Sequence, residues 1–135
     1  MLDTNIVSDM VRNPAGVCFQ RWRAKGNAYI CVSSIVSSEL FFGLEKRRSA
    51  KLTAGMENFL AQLDTLAYER PADRHYADIR NALERRGTPI GPVDLFIAAH
   101  ARSLDLTLVT DNIREFSRVD GLKLENWMER EAPDV

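Results

Sequence analysis

No apolar run in this 135-residue chain approaches the roughly 20 residues of a membrane span, so no membrane-crossing helix is expected. Cysteine is scarce: Cys18 and Cys31 stand far apart, with no Cys-x-x-Cys and no ligand-like histidine nearby. They read as two buried, reduced thiols in a cytosolic protein rather than a disulfide framework or a zinc site. The two histidines, His75 and His100, lack the paired acid and activated hydroxyl of a nucleophilic triad, and read as structural or surface residues. An excess of one charge is also missing. With 18 Lys and Arg against 19 Asp and Glu the net charge is −1, so nucleic-acid contact would need local basic patches. Repeats, low-complexity tracts and linkers are absent, and Met1-Leu2-Asp3-Thr4-Asn5 turns polar too soon for a signal peptide. What is present, 45% hydrophobic and 27% charged, suits one ordinary globular domain over 1–135, long enough to bury a core unstapled.

Along the chain, hydrophobic strands alternate with amphipathic helices. Met1 to Asp3 is the tail of a first strand, followed by a helix from Asn5 to about Arg12 that Asn13-Pro14 ends. A second helix runs from Ala15 to about Lys25, with Val17, Phe19 and Trp22 to pack, and stops at Gly26-Asn27. Tyr29 to Val32 is β-branched and aromatic, hence a buried strand, and Ser33 or Ser34 caps a helix through about Arg48. Further helices are expected over Lys51–Leu63, from Pro71 to Gly87, from Gly91-Pro92 to about Leu104, and over Ile113–Phe116. Strands are expected over Thr65–Tyr68, Leu106–Thr110 and, at an edge, Leu122–Leu124. Such alternation implies an α/β fold with a mainly parallel sheet and helices on both faces.

Four acids fall at strand-to-helix junctions or just inside the helix that follows: Asp3, Glu39, Asp94 and Asp111. In an open parallel sheet these positions meet in one crevice beyond the carboxyl ends of the strands. Facing carboxylates repel unless a cation lies between them, and Mg²⁺ is the usual hard divalent ion. Asp94 is the most telling, because Asp94, Ile97, Ala98 and Ala101 share one helical face and the acid heads a buried stripe. Capping would suffice for Asp94 alone, as it would for Asp3 and Asp111. Glu39 borders the apolar face of Ile35, Val36, Leu40 and Leu44, and pairing with Lys46 or Arg47 is its ordinary alternative. Only the conjunction of the four points to metal.

Four stretches closely resemble PIN-domain ribonucleases, and among them the VapC-type toxins of bacterial toxin–antitoxin pairs. They are Met1-Leu2-Asp3-Thr4-Asn5-Ile6, Ser33 to Leu40 with Gly43 and Glu45-Lys46, Ile90 to Asp94 with Ile97 to Ala101, and Leu108 to Asn112 with Arg114-Glu115-Phe116. The resemblance implies a PIN-like three-layer α/β/α sandwich with a mainly parallel central sheet. It also implies a Mg²⁺-dependent endoribonuclease, with Mn²⁺ as a substitute, that cuts RNA to leave a 3′-hydroxyl and a 5′-phosphate, tRNA being a prominent family target. Asp3 and Asp94 match the family's metal-binding acids, Glu39 is the third acid, and Thr110 matches a supporting hydroxyl. Many relatives carry their fourth acid two residues after that threonine, where this chain has Asn112; Asp111 comes one residue earlier. Either Asp111 or Asn112 completes the site. A VapB-like antitoxin, a homodimer, and a heterotetramer or larger assembly with the antitoxin are implied as partners, in the cytoplasm and away from membranes.

Arg85 and Arg86 directly precede the Asp94 motif and are candidate RNA contacts, whereas Lys46-Arg47-Arg48 with Lys51 reads as a solvated face. Trp22, Phe41 and Phe42 read as core, dimer or antitoxin contacts. A haloacid-dehalogenase-type phosphatase would need an acid where Asn5 stands, and a receiver domain an aspartate near Tyr68-Glu69. The remaining alternative is a catalytically inert PIN-like module that binds RNA or protein.

Overall fold

The amino-terminal segment 1–3 holds the middle of the sheet. In the computed structural model, which describes residues 1–26 and 29–128, Leu2 bridges Val109 in parallel and its N–H donates to Cys31 O at 2.9 Å. On one side lies β1 (Cys31–Ser33), paired in parallel with β2 (Asp64–Leu66), Val32 opposite Thr65. On the other, β3 (Leu108–Val109) pairs in parallel with β4 (Leu124–Glu125). Segment 1–3 therefore ties two short parallel ladders together, in the spatial order β2, β1, 1–3, β3, β4.

Seven helices lie between these strands among the described residues: α1 (Thr4–Arg12), α2 (Val17–Ala24), α3 (Ser34–Arg47), α4 (Ala50–Leu60), α5 (Ala72–Arg86), α6 (Pro92–Ser103) and α7 (Ile113–Phe116). Their ends follow local chemistry. Asp3 and Ser33 have extended backbones, and their side chains accept from Thr4 N and Ile35 N to cap α1 and α3. Gly87 closes α5 with φ of 68°, a left-handed turn that glycine adopts without a Cβ penalty. Pro92 opens α6, where its missing N–H has no intrahelical partner to lose.

The strands are shorter than the apolar runs suggest. Tyr29 lies outside β1, 61% exposed, and its phenol donates to Asp64 Oδ2 at 2.9 Å; hydrophobic composition marks a strand but not where its ladder stops. Leu106 and Leu122 likewise lie just outside β3 and β4, and α4 ends at Leu60, short of Leu63. The predicted stop of the second helix at Asn27 falls outside the described residues.

Leu2, Ile6, Val32, Val36, Ile97, Leu108 and Phe116 form the fully buried centre. Each such side chain contributes roughly 1.5–3 kcal/mol through burial. Cys18 and Cys31 are free and buried, and burial pushes the Cys18 thiol up to about 12 and raises the Cys31 thiol, which disfavours the nucleophilic thiolate at both. Phe41 and Phe42 are 43% and 62% exposed and are not core residues, whereas Trp22 packs edge-to-face on Phe19. No described helix is long and apolar enough to cross a membrane.

Candidate active site

Asp3, Glu39, Asp94, Asp111 and Asn112 line one open crevice of about 420 Å³, together with Thr4 and Asn5. Among the described residues no basic side chain lines it. The four acids that the sequence scatters over more than a hundred residues are brought together because Asp3, Glu39 and Asp111 follow strand ends, within the turn or the first two turns of the adjoining helix, and Asp94 lies in the first turn of α6.

Asp3 is the deepest, 6% exposed. Its Oδ1 accepts from Thr4 N at 2.8 Å and its Oδ2 from the Thr110 hydroxyl at 2.7 Å, so neither oxygen is free to rotate away. Burial raises its pKa, and the two hydrogen bonds oppose that rise. Thr110 is itself fully buried and accepts from Asn112 N at 3.0 Å. One hydroxyl thus fixes both the central carboxylate and the turn into α7.

Glu39 projects from the second turn of α3. It pairs with neither Lys46 nor Arg47; its Oε1 accepts from the Thr4 hydroxyl at 3.1 Å, which couples α3 to the first residue of α1. Asp94 lies half-buried in the first turn of α6, and Ile97, Ala98 and Ala101 behind it are fully buried, as the helical spacing predicts. Burial, then a hydrogen bond to Glu115, then the charges of Asp3, Glu115 and Glu39, push its pKa up to about 7. The same hydrogen bond holds Glu115 below the usual carboxylate range, so the shared proton resides on Asp94. Gly91 lies close to this pair: a Cβ there would stand 3.2 Å from Asp94 Oδ2, and the Gly91 backbone N–H supports Glu115.

The fourth corner differs from expectation. Asp111 is exposed and does not cap α7; Asn112 occupies the N-cap position, with no side-chain cap bond. Asp111 Oδ1 accepts from Asn5 Nδ2 at 3.3 Å, and Asn112 Nδ2 donates to Glu115 Oε2 at 3.3 Å. Both candidates line the crevice, but Glu115 is the acid that reaches Asp94. It was overlooked although it stands in the Arg114-Glu115-Phe116 stretch. Its signal was the position three residues after Asn112, which turns it back toward the end of β3. Thr4 and Asn5, which directly follow Asp3, also line the crevice and bond Glu39 and Asp111.

Arg85 and Arg86 do not line the crevice. Arg86 pairs with Asp120 at 2.9 Å and donates to Arg118 O, while Arg85 is exposed on the last turn of α5. The two histidines are structural: His100 Nδ1 lies 2.7 Å from Ser33 Oγ in the core, and His75 Nδ1 accepts from Arg102 Nε at 2.9 Å.

No three His, Cys, Asp or Glu side chains among the described residues form a ready-made cation cage. Mg²⁺ keeps several waters and takes one or two protein carboxylates plus substrate phosphate. Asp3, held in place by its two hydrogen bonds, and Asp94 once deprotonated are the carboxylates that would hold such an ion.

Residues 1–122 match the PIN domain family model. The chain is 41% identical to the tRNA(fMet)-specific endonuclease VapC of Shigella flexneri, over 94% of this chain and 96% of that protein. It is 40% identical to ribonuclease VapC2 of Haemophilus influenzae, over 95% and 97% of the two chains. Its fold superposes on VapBC2 from Rickettsia felis, crystallised bound to a promoter DNA fragment, with a TM-score of 0.86 and 35% identity, covering 94% and 97%. That likeness bears out the α/β/α sandwich built on parallel strands. The chain belongs to the PIN-domain family, among its VapC ribonucleases.

Proposed function

We propose that this chain is a metal-dependent endoribonuclease of the VapC type, toxic when free and inhibited by a cognate VapB-like antitoxin. The observation that carries the catalytic part is the convergence of Asp3, Glu39 and Asp94 in one crevice whose lining holds no positive side chain. Asp3 and Asp94 would hold Mg²⁺, or Mn²⁺ in its place, which polarises the scissile phosphate and makes bound water a better nucleophile. Thr110 keeps Asp3 aimed at that position, and the Thr4 hydroxyl keeps Glu39 beside it to orient the attacking water. Asp94 must give up its proton to water to act as a ligand, and Glu115, held by Asn112 Nδ2, is the carboxylate beside it. Asp111 and Asn112 also line the crevice and would complete its fourth corner. The water oxygen bonds to phosphorus as the bond to the 3′ oxygen breaks, leaving a 3′-hydroxyl and a 5′-phosphate.

In this reading the whole chain, 1–135, is one PIN domain acting in the cytoplasm on RNA, with tRNA as the favoured class. It forms a homodimer and, with the antitoxin, a heterotetramer or larger assembly. The test is incubation of the purified chain with total transfer RNA, with Mg²⁺ or EDTA, beside Asp94→Asn. Cleavage should require Mg²⁺ and fall at least about 100-fold in the variant. Cleavage that survives EDTA or the substitution would refute the metal mechanism; no cleavage by wild type across many RNAs would make the chain an inert binding module.

A further inference from the structure

The acidic crevice continues beyond Glu39. A groove of about 240 Å³ between α1, α3 and α4 shares Thr4, Asn5 and Glu39 with it, so the two spaces adjoin. Two guanidinium groups line this groove, Arg12 from the last turn of α1 and Arg47 from the last turn of α3. Both are exposed, and among the described residues neither makes a hydrogen bond or an ion pair. Some other arginines are engaged, Arg80 with Glu84, Arg86 with Asp120 and Arg102 with Asp78, but Arg12 and Arg47 are the ones that line this groove. Two unpaired guanidiniums beside a crevice of carboxylates are an arrangement that a polyanion satisfies and that internal packing does not.

Gly43 adds an independent observation. It lies inside α3, where glycine weakens a helix relative to alanine, and close packing is the common reason to keep one. Here a Cβ would meet no atom within 4 Å, so packing does not require the glycine. The space it leaves opens into the same groove.

We propose that this groove seats the RNA strand flanking the scissile phosphate, with Arg12 and Arg47 holding backbone phosphates and Gly43 leaving room for the strand. The inference rests on the ribonuclease reading of the crevice. A phosphodiester chain entering a site lined by acids is repelled along its length except at the metal, and needs positive charge where it leaves. The arginine fork matches a phosphate with two parallel N–H donors. Such contacts place the strand without reading its bases, so both arginines act on binding and register.

The experiment measures labelled transfer RNA binding by fluorescence anisotropy and its steady-state cleavage in Mg²⁺, each across a KCl series. Wild type is compared with Arg12→Gln, Arg47→Gln, the two lysine variants and Gly43→Leu. Each glutamine variant should raise KM and Kd several-fold with kcat nearly unchanged, and flatten the log–log salt slope by about 0.7 per lost phosphate contact. The lysine variants should restore the slope, and Gly43→Leu should raise KM while leaving the slope intact. Wild-type cleavage with identical KM and slope in every variant overturns the groove assignment alone. RNA binding that weakens in the variants while wild type never cleaves leaves the groove standing and removes the ribonuclease reading. Unaltered RNA binding with a weakened grip of the antitoxin assigns the groove to the protein partner and overturns the proposal.

Discussion

At the scale of single residues, the site is governed by how a few hydroxyls and backbone groups restrain carboxylates. Thr110 is the clearest case, since its hydroxyl serves both Asp3 Oδ2 and Asn112 N. Thr110→Val keeps the shape but leaves a buried carboxylate oxygen and an N–H without partners. It should lower unfolding free energy by about 1–3 kcal/mol in chemical denaturation, and weaken Mn²⁺ binding in parallel. Asp94 makes a pH prediction. Its folded pKa is about 7 against an ordinary 3.8, so between these values the folded state keeps a proton the unfolded chain has lost. The stabilising effect is complete below about pH 3.8 and is lost as pH rises through 7. His100, lowered by burial, pulls the other way below its ordinary pKa, and Glu115 loses its contribution only on stronger acidification. The difference between wild type and Asp94→Asn isolates the aspartate. Metal-free wild type should lose stability relative to the variant from pH 5 to pH 8, read from urea midpoints; parallel curves would remove the shared proton. Asp3, Glu39 and Asp94 were legible as one cluster because strand ends and helix starts share an edge in a parallel sheet. Glu115 was legible only as the residue three positions after Asn112, and its pairing with Asp94 was not, because that partner lies on another helix.

At the scale of elements, helices were more legible than strands. Capping and punctuation are local chemistry: Ser33, Gly87 and Pro92 stand where their helices begin or end, and Ile113–Phe116 is the helix expected. Strand ends depend on which neighbours supply hydrogen bonds, so Tyr29 and Leu106 carry strand-like residues beyond the ladder. Two substitutions separate these effects in α3. Ser33→Ala removes the bond to Ile35 N and the partner of His100, and should cost about 1–2 kcal/mol. Gly43→Ala adds helix propensity where no atom obstructs a Cβ, and should stabilise by about 0.5–1 kcal/mol. Thermal denaturation of both proteins checks the two signs. A destabilised Gly43→Ala would mean that the glycine is kept for packing after all.

For the whole molecule, core and crevice oppose one another. The same sheet that buries Leu2, Val32 and Leu108 gathers unneutralised acids at its carboxyl edge, so the apo fold bears their repulsion. A divalent ion that binds only the folded chain relieves it, adding about 2.7 kcal/mol at a hundredfold excess over Kd. The stabilisation should be larger at pH 8 than at pH 5, because Asp94 must release its proton to bind, and it should vanish in Asp94→Asn. The most direct measurement is anomalous X-ray scattering from crystals grown with MnCl₂. The predicted result is a peak between Asp3 and Asp94, about 2.0–2.2 Å from a carboxylate oxygen of each. A well-ordered crevice with no peak there, from protein that cleaves RNA in the same Mn²⁺ solution, would contradict the assignment of these acids as the metal site.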